Sequence, residues 1–156
     1  GPPAAMLKPR MIIAPLLTLI LANPTIAQDA PASKPRTAAG AIKFMQDMLT
    51  RGPAEAKPWP GFARVSKVTN VAVKGNCLMT LSLADKSLLR IDLARTVGVR
   101  ARISTNAPQS AVEIVGGAQP YEGIDLYLGD NAAVRRVSDA MTFLQTSCDT
   151  SAQTGF

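Results

Sequence analysis

Between residues 65 and 128 apolar and polar residues alternate, and this period of two restricts the fold more than any other feature of the chain. Cys77, Met79, Leu81 and Leu83 alternate with Leu78, Thr80 and Ser82. Leu89, Ile91 and Leu93 alternate with Arg90 and Asp92, and Val97, Val99, Ala101 and Ile103 with Arg100 and Arg102. Val112 and Ile114 flank Glu113, while Ile124, Leu126 and Leu128 flank Asp125 and Tyr127. Each run reads as a strand with one buried and one solvated face, the habit of antiparallel sheets. Turn signals at Lys74-Gly75-Asn76, Asp85-Lys86, Asn106-Ala107-Pro108 and Gly116-Gly117 separate the runs. The intervals are too short for crossover helices, which argues against a parallel sheet.

Helical spacing brackets this region. Thr37 can cap a helix that runs to about Arg51, with Ile42, Met45 and Leu49 on one face. Gly52-Pro53 stops it. Residues 53–64, rich in proline and glycine around Trp59, read as an ordered connector, because Trp59 and Phe62 are costly to leave in water. After Gly129, Asp130 or Asn131 starts a second helix, whose stripe of Val137, Ala140, Met141, Leu144 and Cys148 should lie on the sheet. The expected fold is α+β: an N-terminal helix, a five- to seven-stranded antiparallel sheet in a roll or sandwich, and a closing C-terminal helix.

The closing segment follows the pattern A-x-R-x-V-x-x-A-x-x-x-L-x-x-x-C at Ala133, Arg135, Val137, Ala140, Leu144 and Cys148. It resembles the end of small pleckstrin-homology-like domains, in which a run of antiparallel strands closes with one amphipathic helix. The resemblance implies a roll or sandwich of strands capped by that helix. It implies no ligand and no site residue.

The first residues concern destination rather than fold. Met6 opens a stretch with Lys8 and Arg10, an apolar run follows to Ala22, and small residues stand at Thr25 and Ala27. This is the order of a cleavable secretory signal peptide over 6–27, with the cut expected after Ala27 and residues 1–5 lying ahead of the start. Its apolar run is too short for a spanning helix and contains Pro15, so the expected mature protein is periplasmic or secreted and spans no membrane. Residues 28–36 are expected as a flexible tail, 37–149 as one globular domain, and 150–156 as a frayed end. The leader holds two of the 17 Lys and Arg and none of the 11 Asp and Glu, so the remainder carries +4. That charge permits contact with an anionic surface and falls short of a nucleic-acid footprint.

Cys77 and Cys148 are the two cysteines of the chain. Both share the parity of core residues in a compartment where disulfides persist, so the pair is expected to be bonded and structural. There is no C-x-x-C, which argues against redox catalysis. The chain has no histidine, which removes the commonest general base and metal ligand, and no metal site or cofactor is expected. Asp92, Glu113 and Asp125 on a wet face, or Ser82 with Lys86, would have to serve a small hydrolase. Cross-strand pairing of those acids with Arg90, Arg100 and Arg102 is the plainer reading. Two features suit binding: the cationic row Arg90, Arg95, Arg100 and Arg102, and Trp59 in its proline-rich segment. The expected function is therefore a non-catalytic exported module that binds a protein partner, with an anionic headgroup or polymer as the alternative ligand on the arginine row.

Overall fold

The period-two segment folds into six strands, and a seventh comes from the stretch that reads as a connector. In the computed structural model the chain divides into two units, residues 1–34 and 35–156. Gly1, residues 35–61 and residues 64–148 are described. The expected leader, its cut after Ala27, Phe62 and the last eight residues lie outside the described residues.

The elements run α1 (Ala38–Arg51), β1 (Glu55–Trp59), β2 (Ser66–Lys74), β3 (Leu78–Leu83), β4 (Leu88–Asp92), β5 (Gly98–Arg102), β6 (Ala111–Val115), β7 (Gly123–Tyr127) and α2 (Asn131–Cys148). This is the α+β fold expected, with every strand pair antiparallel in one sheet of order β4-β3-β2-β1-β7-β6-β5. Its first and last strands are adjacent in the chain. The sheet curls so that the end of β4 meets the β6–β7 turn, where the Asp92 N–H donates to the Gly117 carbonyl at 2.7 Å. Gly117 is glycine for two reasons. Its φ of +71° is left-handed, and a Cβ there would stand 2.4 Å from the Asp92 carbonyl oxygen.

β1 corrects the connector reading. Pro58 hides a strand, because proline cannot donate to a ladder. Here it has no ladder to break. The Val68 N–H donates to the Ala54 carbonyl, so Ala54, Ala56 and Pro58 turn their backbone groups toward β2. β2 pairs with β1 only at Glu55–Lys67 and Ala56–Ser66, so no β2 residue stands opposite Pro58, which pairs with Ile124 of β7 on its other side. At the opposite end of the pairing, beyond Val68, the edge of β2 is covered by α1, where Gln46 Nε2 donates to the Val71 carbonyl at 3.1 Å.

The core lies between the inner face of the sheet and the two helices. Met79, Leu81, Ile91, Ile114, Ile124 and Leu126 are buried from the strands. Met45 and Leu49 of α1, and Val134, Val137, Met141 and Leu144 of α2, close over them. Thr37 caps α1 by accepting from the Gly40 N–H. Asp130 caps α2 by accepting from the Ala133 N–H at 3.0 Å, while the Asn131 side chain instead accepts from Ser110 Oγ. The Arg136 guanidinium lies 4.8 Å from the centre of the Phe44 ring, a tie between the two helices.

Cys77 and Cys148 are bonded, with Cα atoms 5.6 Å apart and a sequence separation of 71. The bond joins the end of α2 to the turn before β3, where the chain reverses through Gly75 and Asn76 at φ of +61° and +62°. Cys77 thus belongs to the turn rather than to the strand in which its parity placed it. The apolar face read for β5 also needs correction. Val97 precedes the strand and is 81% exposed, and Ile103 lies beyond its end, also exposed. The alternation is genuine, but β5 is an edge strand, covered on its inner side only at Val99 and Ala101.

Candidate functional site

The four arginines of the row do not stand together; the curl of the sheet divides them between two clusters. The first cluster covers the outer, helix-free face of β1, β7, β6 and β5, and strand register arranges it in rows. Lys57 stands opposite Asp125, Asp125 opposite Glu113, and Glu113 opposite Arg100. On one side the next row runs Glu55, Tyr127, Ala111 and Arg102. On the other it runs Trp59, Gly123, Val115 and Gly98.

Hydrogen bonds knit these rows together. Arg100 donates to Glu113 Oε1 through Nε, at 3.1 Å, and through Nη2. Arg102 bridges two acids, donating through Nη1 to Glu113 Oε2 at 3.1 Å and through Nη2 to Asp125 Oδ2 at 3.0 Å. Trp59 Nε1 donates to Asp125 Oδ1 at 3.1 Å, and the Tyr127 hydroxyl donates to Oδ2 at 3.4 Å. Asp125 is therefore only 7% exposed, although its parity places it on the solvent side, which corrects its expected wet environment. The hydrogen bond from Arg100 holds the Glu113 carboxyl below the usual carboxylate range, against the opposing effect of burial. Burial alone would lower Arg102, but the hydrogen bonds and charges of Asp125 and Tyr127 together outweigh it and raise it. Glu113 has an arginine on each carboxylate oxygen, an arrangement that keeps it ionised and leaves it ill-suited to donate a proton near neutral pH.

The second cluster sits at the seam. Leu78, Arg90, Asp92, Arg95, Gly117 and Gln119 line an open cavity of about 290 Å³. Leu78, Arg90 and Asp92 project from the outer face of β3 and β4, and Gly117 and Gln119 belong to the turn that closes on them. Arg95 Nε lies 3.6 Å from Asp92 Oδ2 while its side chain stays 83% exposed, and Asp92 Oδ1 accepts from the Ala94 N–H. Among the described residues, Arg90 has no acidic partner. The strand's backbone is open here as well. The Leu93 N–H donates to the Cys77 carbonyl and the Leu83 N–H to the Ser87 carbonyl, so Ser87, Leu89, Ile91 and Leu93 bond to β3. Leu88 and Arg90 turn their backbone groups to the free edge.

Asp92 is thus not a neighbour of Glu113 and Asp125 but belongs to the seam. Ser82 sits within the β3–β4 ladder opposite Leu88, and Lys86 at the tip of that hairpin with φ of +72°. They share no hydrogen bond among the described residues. No three acidic or cysteine side chains gather as a metal site requires among the described residues, and no helix there is long and apolar enough to cross a membrane. Sequence reasoning missed Gly117, Gln119 and Leu78 at the seam, because only the curl of the sheet brings them to β4. It also missed Gly123, although a glycine opening an apolar strand is a signal of close backbone approach. Compared with models of known protein families and with curated proteins, the chain matches none.

Proposed function

We propose that this protein is an exported, non-catalytic binding module on a pleckstrin-homology-like roll, and that the seam groove takes an anionic group of its partner. The strand order, with its first and last strands adjacent in the chain, and the closing helix α2 support the likeness of fold. Export is supported by the order of residues 6–27, and a disulfide that staples the fold suits an oxidising compartment. The observation that carries the binding reading is the division of the arginines. Arg100 and Arg102 are committed to Glu113 and Asp125, whereas Arg90 and Arg95 present two guanidiniums to an open cavity beside the single carboxylate of Asp92. Guanidinium is the group best matched to a carboxylate or phosphate, through paired donors. At about 290 Å³ the cavity suits such a group at the tip of a larger ligand rather than a whole cofactor.

Titration with citrate and with inorganic pyrophosphate, followed by backbone amide NMR, tests the site. Shifts confined to residues 90–95 and 117–119, and lost in Arg90→Ala/Arg95→Ala, are expected. Shifts centred on Arg100 and Arg102 refute it. Vesicles with and without anionic lipid then separate a membrane headgroup from a protein carboxylate. Export is checked by sequencing the N terminus of protein recovered outside the cytoplasm, with Gln28 expected first.

A further inference from the structure

The outer face of β1, β7, β6 and β5 holds a second feature, independent of the seam groove. Trp59 is the one tryptophan of the chain. Its indole lies against the backbone of Gly123, its register partner, so closely that a Cβ there would be 2.0 Å from Cζ2 and 2.5 Å from Cε2. The glycine serves as a bed for the ring. The Nε1 bond to Asp125 fixes the ring's rotation, and Asp125 is itself held by Arg102 and Tyr127. Yet Trp59 is only half-buried, so this rigidly held side chain still meets solvent.

The same row continues through Val115 to Gly98. A Cβ at Gly98 would meet nothing within 4 Å, so the sheet surface there is an unfilled strip. Three interstrand spacings, about 14 Å, separate β1 from β5. Alongside runs the row Lys57, Asp125, Glu113 and Arg100, whose positions are set by register and whose side chains are fixed by hydrogen bonds at three of the four. Lys57, Arg100 and Arg102 balance Glu55, Glu113 and Asp125, so the face offers donors and acceptors without net charge.

That combination selects a chemical class. An anion gains little from a balanced field. An apolar peptide would strip water from guanidiniums and carboxylates without replacing their hydrogen bonds. A neutral sugar ring fits both parts. Its C–H-rich face carries partial positive charge toward the negative face of the indole, and its hydroxyls both donate and accept. We propose that this face binds a neutral oligosaccharide, with one ring stacked on Trp59, its neighbour over Val115 and Gly98, and hydroxyls meeting the exposed Arg100 and the half-buried Lys57.

A single tryptophan makes the intact protein its own reporter. Titration with cellohexaose, chitohexaose and maltohexaose should give, for at least one of them, a saturable change in Trp59 emission and protection from acrylamide quenching. Gly98→Leu, which fills the strip without touching the indole, should weaken that binding at least tenfold while leaving the thermal midpoint unchanged. Arg90→Ala should leave it unaltered, which separates this face from the seam. An emission change with none of the three sugars overturns the proposal, as does binding of equal strength in Gly98→Leu.

Discussion

At Glu113 two carboxylate oxygens serve two arginines, and the acid is mostly covered while Arg100 remains 72% exposed. The charge therefore matters more to the fold than to the solvent. Its carboxyl titrates below the value of about 4.3 expected in an unfolded chain. A depressed folded value means that the unfolded state binds the proton first as pH falls. The stabilisation is complete above about pH 4.3 and disappears as pH drops through the lower, folded value. Glu113→Gln should cost about 1–2 kcal/mol at pH 7, the scale of charge-assisted hydrogen bonds. Urea midpoints for both proteins at pH 7 and pH 3 check this: the gap should narrow at pH 3, and a gap independent of pH would remove the ion-pair account.

Among the elements, β1 shows how much of the fold was legible in the chain and where legibility ended. Strands β3 to β7 and both helices follow from alternation, helical stripes and turn residues, all local signals, whereas the alternation of β2 is broken by the shift in register between Val68 and Asn70. β1 does not follow from them, because Lys57-Pro58-Trp59-Pro60 carries the composition of a loop, and Pro58 is harmless only because β2 begins at Ser66, short of the position opposite it. The site was partly legible for the same reason. Arg90, Arg95, Arg100, Arg102 and Trp59 stand out as residues, but which of them share a cluster depends on strand order, which alternation does not encode. Close packing of β1 on β7 gives an element-scale expectation. Gly123→Ala forces the indole off the β7 backbone and breaks its bond to Asp125, at a cost of about 1–3 kcal/mol, the usual range for overpacking. A lowered thermal midpoint with a red-shifted Trp59 emission is the expected pair of readings. Lowered stability with unshifted emission would place the strain elsewhere. At the seam Gly117→Ala adds a left-handed backbone penalty to a clash with the Asp92 carbonyl, so it should destabilise by about 2 kcal/mol or more. Equilibrium urea unfolding measures this, and a midpoint equal to wild type would contradict the tight closure of β4 on the β6–β7 turn.

For the whole molecule, the disulfide bond decides how a sheet joined through so few contacts between β1 and β2 holds together. The covalent loop from Cys77 to Cys148 contains β3 to β7 and α2, so it ties the β2–β3 hairpin to the helix that closes the other half of the sheet. β1 and β2 pair at two positions only, and the ladder between the two halves of the sheet is weakest there. A cross-link spanning 71 residues restricts the unfolded chain by about 4 kcal/mol in the chain-entropy account, a large part of an ordinary domain's stability. Cys77→Ser/Cys148→Ser should therefore lower the thermal midpoint by on the order of 15 °C. Because the loss falls on the unfolded state, the two clusters on the outer face should survive in whatever fraction remains folded. Reduced protein held well below its midpoint should keep the Trp59 emission of the oxidised form. Emission that shifts on reduction, before the backbone circular dichroism changes, would show instead that the disulfide positions the outer face directly. Reduction that leaves the midpoint unmoved would show that packing of α2 on the sheet suffices without the bond.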